Sequence, residues 1–209
     1  METSLSLGQF LLMAAGISLT GVMFPGPMTA ATIAKGYSDK HAGAWIAAGH
    51  AVIEIPLISV MAVVYFGSGR FASSPWVEQV IYLVGGLMLL YLGLRMFRGT
   101  RETPGAVGGL PASPFLTGIV ITGTNPSFYL WWVTAGAVLI AGGAEFGPIG
   151  VILLAVVHLP SDFVWSEFLS VGTFESRRWW TPKVQRIVLS VCALILGGFG
   201  VWFCISAFL

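Results

Sequence analysis

Four ionisable side chains stand where a chain rarely keeps any. His50 and Glu54 lie in an apolar run from about residue 42 to 66, and His158 and Asp162 in a second from about 148 to 171. In each run the histidine precedes the acid by four residues, which puts both on one face of a helix. A proline sits beside each pair, Pro56 and Pro160, and frees a helix carbonyl, that of Val52 and that of Val156. Imidazole and carboxylate at membrane depth are costly, so they face protein or water rather than lipid. Together they suit a proton relay or a cation site. Two imidazoles with two carboxylates also suit a divalent cation such as zinc, cobalt or nickel. The plainest alternative is a pair of structural ion pairs that fix helix packing in a non-transporting scaffold.

Composition supports the membrane setting. The 209 residues are 56% hydrophobic and 9% charged, with mean hydropathy +0.86, against about 25% charged in soluble domains. Ten bases nearly cancel nine acids, and no basic tract points to nucleic acid. Met1-Glu2-Thr3-Ser4 offers no positive leader region, so the first apolar run is expected to be retained. Cys192 and Cys204 share one apolar run without metal or redox spacing and read as buried thiols. No HExxH, GxSxG or phosphate-binding loop occurs, so neither an enzyme nor an ATP-driven pump is expected, and no cofactor.

A membrane helix needs about 20 apolar residues. Six runs qualify: Leu5–Ala34, Ala42–Phe66, Pro75–Met96, Pro114–Ala141, Phe146–Val171 and Val184–Leu209. The longest connection, 99–113, is rich in Gly and Pro and divides the chain into halves 1–98 and 114–209 of three helices each. Nine of the ten bases fall at the first, third and fifth connections and only Arg70 at the second, which predicts a multi-pass plasma-membrane protein with both termini external. Three helices per half reverses the second half in the membrane. The two His/acid pairs lie 108 residues apart, and other echoes, such as Pro25 with Pro126, are offset by 101 to 112. The expected fold class is an all-α inverted 3+3 repeat.

Two spans should be broken. Phe24-Pro25-Gly26-Pro27 interrupts the first, and Thr122-Gly123-Thr124-Asn125-Pro126 the fourth. The first run would otherwise reach roughly 45 Å against a hydrocarbon core of about 30 Å. Broken backbone at this depth must be buried in protein or line a cavity, and a half-helix starting after Pro126 would aim its positive end at a substrate carboxylate. Helices two and five, running antiparallel, should match His50 with Asp162 and Glu54 with His158. Phe128-Tyr129-Leu130-Trp131-Trp132 reads as a packing and lipid surface, Glu167 as a boundary residue, His41 as a loop residue, and Arg177-Arg178-Trp179-Trp180 as an interfacial anchor.

These features resemble the lysine-exporter (LysE-type) translocators over most of the chain. The likeness rests on Pro25-Gly26-Pro27, then Gly43, Gly49 and the acid at Glu54, then Tyr82 to Gly93, and Phe115-x-x-Gly118 leading to Asn125-Pro126. Met28 stands where such proteins often carry Asn, and Glu54 where Asp is usual. The resemblance implies a six-helix exporter of small cationic or neutral amino acids, driven by the proton gradient, with a homodimer left open. Pro25, Gly26, Pro27, Asn125 and Pro126 would then form the substrate cradle with Glu54 and Asp162. Those two acids, tuned by His50 and His158, would also carry the proton. The rival remains a divalent-cation exporter using the same four residues.

Overall fold

The computed structural model describes residues 5–23, 26–68, 110–179 and 181–208, with positions 79, 83–84, 86–87, 89–91, 93–94 and 97–98. Every element among them is helical. The order is α1 (Leu7–Val22), α2 (Pro27–Gly36), α3 (Ala42–Ser68), α4 (Pro114–Gly123), α5 (Pro126–Trp131), a π turn (Trp132–Gly136), α6 (Ala137–Ala144), α7 (Gly147–Ser176), a 3₁₀ turn (Arg177–Trp179) and α8 (Pro182–Ser206). Four stretches are long and apolar enough to cross a membrane: Ala42–Ser68, Pro126–Ala144, Gly147–Trp179 and Pro182–Ser206. The expected span Pro75–Met96 lies largely outside the described residues, as do Pro25 and most of the 99–113 connection.

Local chemistry sets the boundaries. Ser6 and Gln9 close a reciprocal cap on α1, while Ser113 and Thr181 cap α4 and α8 ahead of a proline in the first turn. The long first run is divided as its prolines require, with α1 ending at Val22 and α2 beginning at Pro27. The fourth run divides at Thr124 and Asn125, and its second piece, Pro126–Ala144, is long enough to cross alone. Pro56 and Pro160 act differently, since α3 and α7 continue through both. Gly147 opens α7 at φ 73°, a left-handed conformation that glycine adopts without steric cost.

Glycine lets three helices touch at their backbones. A Cβ on Gly49 would strike the carbonyl of Phe115, one on Gly118 the carbonyl of Ile46, and one on Gly43 the backbone of Ser166. Helix α3 is thereby pressed against α4 on one side and α7 on the other, the small-residue packing that membrane helices use for want of a hydrophobic force between them. Two apolar clusters complete the interior. One joins Ala30, Ala34, Ile121 and Leu196, and the other Phe10, Ile58, Leu139 and Leu154. Substituting valine at Gly49 or Gly118 should lower the unfolding midpoint in detergent, at a cost of about 1–3 kcal/mol from overpacking. Gly16→Ala, where an added Cβ meets nothing within 4 Å, should leave that midpoint unchanged.

Candidate functional site

The two His/acid pairs converge. Helix α3 supplies His50 and Glu54, and α7 supplies His158 and Asp162, all four buried. Glu54 Oε1 lies 3.1 Å from Nε2 of His50 and 3.1 Å from Nε2 of His158. It also accepts from the indole Nε1–H of Trp132 at 3.2 Å. The expected cross-helix pairs are both present, though unequal. His158 meets Glu54 at hydrogen-bond distance, whereas His50 and Asp162 stand 3.9 Å apart. Asp162 is likewise 3.8 Å from His158 on its own helix.

The far nitrogens of both rings are also held. Nδ1 of His50 is 2.8 Å from Oγ1 of Thr122 on α4, and Nδ1 of His158 is 2.7 Å from Oγ of Ser18 on α1. With each Nε2–H donating to Glu54, a neutral ring accepts at Nδ1 from the hydroxyl, and an imidazolium donates there instead. A rotating hydroxyl satisfies either case, so a proton can join or leave without rebuilding the network.

Aromatic rings close the site and correct one expectation. Phe128, Trp131 and Trp132 are not a lipid surface. Phe128 meets His50 edge-on at 5.1 Å, Trp131 stacks on His158 at 5.2 Å, and Trp132 meets the same imidazole edge-on at 5.2 Å. Two consecutive tryptophans reach one ring where α5 passes into the π turn beginning at Trp132, the kind of local widening that recurs at functional sites. Hydropathy cannot separate a lipid-facing tryptophan from an inward one, so composition hid them. Ser18 was equally silent, being a small hydroxyl in an apolar run, and Thr122 stood out only as part of the fourth-span break.

A cavity of about 330 Å³ opens beside this network. Its wall includes all four ionisable residues together with Gly26 and Pro27 from the first helix break and Asn125 from the second. Pro126 is buried at the first position of α5, and the Asn125 side chain accepts from the Ser127 amide at 3.2 Å, so that half-helix carries its own cap. His41 lies in the turn before α3 and Glu167 is partly exposed. Glu167 pairs with His41 Nδ1 at 2.5 Å and accepts from the Ala44 amide at 3.0 Å, tying the turn before α3 to α7. Both cysteines are free, with Cys192 buried and Cys204 partly so.

Several long apolar helices beside a cavity lined by titratable side chains mark a multi-pass membrane protein. Residues 19–207 match the model of the LysE type translocator family, and the chain belongs to that family. It is 26% identical over 194 residues to "Putative amino acid efflux protein YcgF" of Bacillus subtilis (strain 168), covering 90% of each chain. No solved structure matches it.

Trp132→Phe keeps an aromatic six-membered ring but removes the N–H that donates to Glu54, along with some buried ring volume. It should lower stability by about 1–3 kcal/mol, the cost of depriving a buried charged group of a donor. Trp45→Phe, at an exposed position, should change little in the same unfolding measurement.

Proposed function

We propose that the protein is a secondary transporter that exports amino acids and couples their movement to protons. The observation that carries this reading is the cavity at two helix breaks, walled by an imidazole–carboxylate network that can take up a proton in place. Membership of a translocator family and the printed name of the Bacillus relative support it. On this reading Glu54 and Asp162 receive the substrate ammonium or a proton, while His50 and His158 orient and tune them. Gly26, Pro27 and Asn125 border the substrate, and Pro25 and Pro126 keep the helices interrupted there. The chain is arranged as two three-helix halves, 1–98 and 114–209, of opposite sense with both termini outside the cell.

Export of a divalent cation is the second reading. One ligand atom each from His50, Glu54 and Asp162 lies within 4.8 Å of the others. Against it, both imidazole Nε2 atoms already face Glu54 Oε1, so a metal would have to displace two hydrogen bonds.

Counterflow in proteoliposomes separates these readings from a passive scaffold. Labelled leucine, threonine and lysine should be tried, and at least one should exchange. Glu54→Gln should slow that exchange by about a hundredfold, equivalent to about 2.7 kcal/mol, with the unfolding midpoint retained because the amide oxygen still accepts the three donors. No exchange by the unaltered chain, together with a loss of stability in Glu54→Gln, would favour the scaffold, and exchange of zinc or cobalt alone would favour the metal.

A further inference from the structure

Among the described residues, four buried side-chain polar atoms have no hydrogen-bond partner: Thr32 Oγ1, Glu54 Oε2, Asp162 Oδ2 and Trp165 Nε1. All four belong to residues that line the one cavity described above. Thr32, Glu54 and Asp162 are 1%, 1% and 5% exposed. Unpaired polar atoms buried to this degree cost free energy unless something fills the space and bonds to them. They therefore indicate the chemistry of a ligand that would fit.

Two of the atoms are carboxylate oxygens, which accept only, and they call for a donor of positive charge. The indole Nε1–H of Trp165 donates only, and the hydroxyl of Thr32 can donate. These two call for an acceptor. Asp162 and Trp165 are three residues apart on α7, so they are neighbours on one helix face. A small solute with a cationic donor and an anionic acceptor close together can bridge them. The first turn of α2 strengthens the anionic end, since its N-cap Gly26 lines the cavity and brings no side-chain cap, and a helix N-terminus attracts negative charge.

The rest of the wall then decides which solutes fit. Among the described residues Glu54 and Asp162 are its only carboxylates, and Val22, Met28, Phe128 and Leu169 supply apolar surface. With both carboxylates engaged by one ammonium, a second cationic group on the solute would find only neutral oxygens among the described wall residues.

We propose that the cavity holds the zwitterion of an α-amino acid with an uncharged, apolar side chain. Its ammonium sits between Glu54 Oε2 and Asp162 Oδ2, and its carboxylate on Trp165 Nε1–H and Thr32 Oγ1–H. The proposal rests on the amino-acid reading above and narrows it to neutral substrates of the leucine type.

The test uses the full chain in proteoliposomes exchanging labelled L-leucine, with unlabelled L-leucine, leucinamide, N-acetyl-L-leucine and L-lysine as competitors. Leucinamide lacks the anionic end and N-acetyl-leucine the cationic one. Each should compete about tenfold or more weakly than leucine, as loss of a hydrogen bond to a charged group implies, and lysine should be weakened as much. Trp165→Phe should raise the half-saturating leucine concentration about tenfold. It should also shrink the gap between leucine and leucinamide to within about threefold, which a merely structural tryptophan would not do. Thr32→Val gives the same readout should the tryptophan variant not fold. Leucinamide or lysine competing as well as leucine would overturn the proposal, as would an unchanged gap in the variant. Exchange that prefers lysine would remove this inference and leave amino-acid export standing. Failure of every amino acid to exchange would remove both.

Discussion

A single oxygen, Glu54 Oε1, takes N–H groups from two imidazoles and an indole at 3.1–3.2 Å while its residue is 1% exposed. A carboxylate withdrawn from water survives only when its surroundings replace the lost solvation. Here the donors come from three separate places along the chain: α3 itself, α7, and the start of the π turn. Removing any of them leaves a buried charge short of a partner, so the acid specifies how these segments must meet. The arrangement is a constraint on packing as much as a store of charge.

That convergence needs backbones closer than ordinary side chains allow. Gly43 and Gly49 on α3 and Gly118 on α4 provide the approach, each with a neighbouring backbone where a Cβ would stand. The sequence spacing of these glycines around His50 follows from it. Gly43 meets α7 at Ser166, one turn beyond Asp162, and Gly49 meets α4 one residue before His50 reaches across to Thr122. Close packing and the polar network are thus one device read at two levels.

Much of this was legible in the residues. Histidine and acid at a spacing of four, twice, identified the four groups that meet, and prolines in over-long apolar runs located both interruptions. What stayed hidden was whatever depends on which way a helix faces. Trp131 and Trp132 look like membrane-surface residues by composition, and only the π turn lets both reach His158. Thr32 and Ser18 carry no signal at all, because a hydroxyl in an apolar helix can satisfy itself on the preceding turn. The expectation that the second half-helix would receive a carboxylate also meets a local competitor, since Asn125 caps its own helix at Ser127.

The two acids differ by one methylene, and that difference divides their work. The longer Glu54 brings an oxygen to 3.1 Å from both imidazoles, whereas the nearest approaches of Asp162 are 3.8 and 3.9 Å. Glu54 is consequently anchored through one oxygen and offers only the other to the cavity. Asp162 stands back from both imidazoles, and its Oδ2 has no hydrogen-bond partner among the described residues. On the proposed reading a proton and a substrate ammonium would compete for the same two unpaired carboxylate oxygens. A site with both acids equally saturated by histidine would leave fewer open oxygens; the shorter side chain on α7 keeps Asp162 Oδ2 unpaired beside Glu54 Oε2.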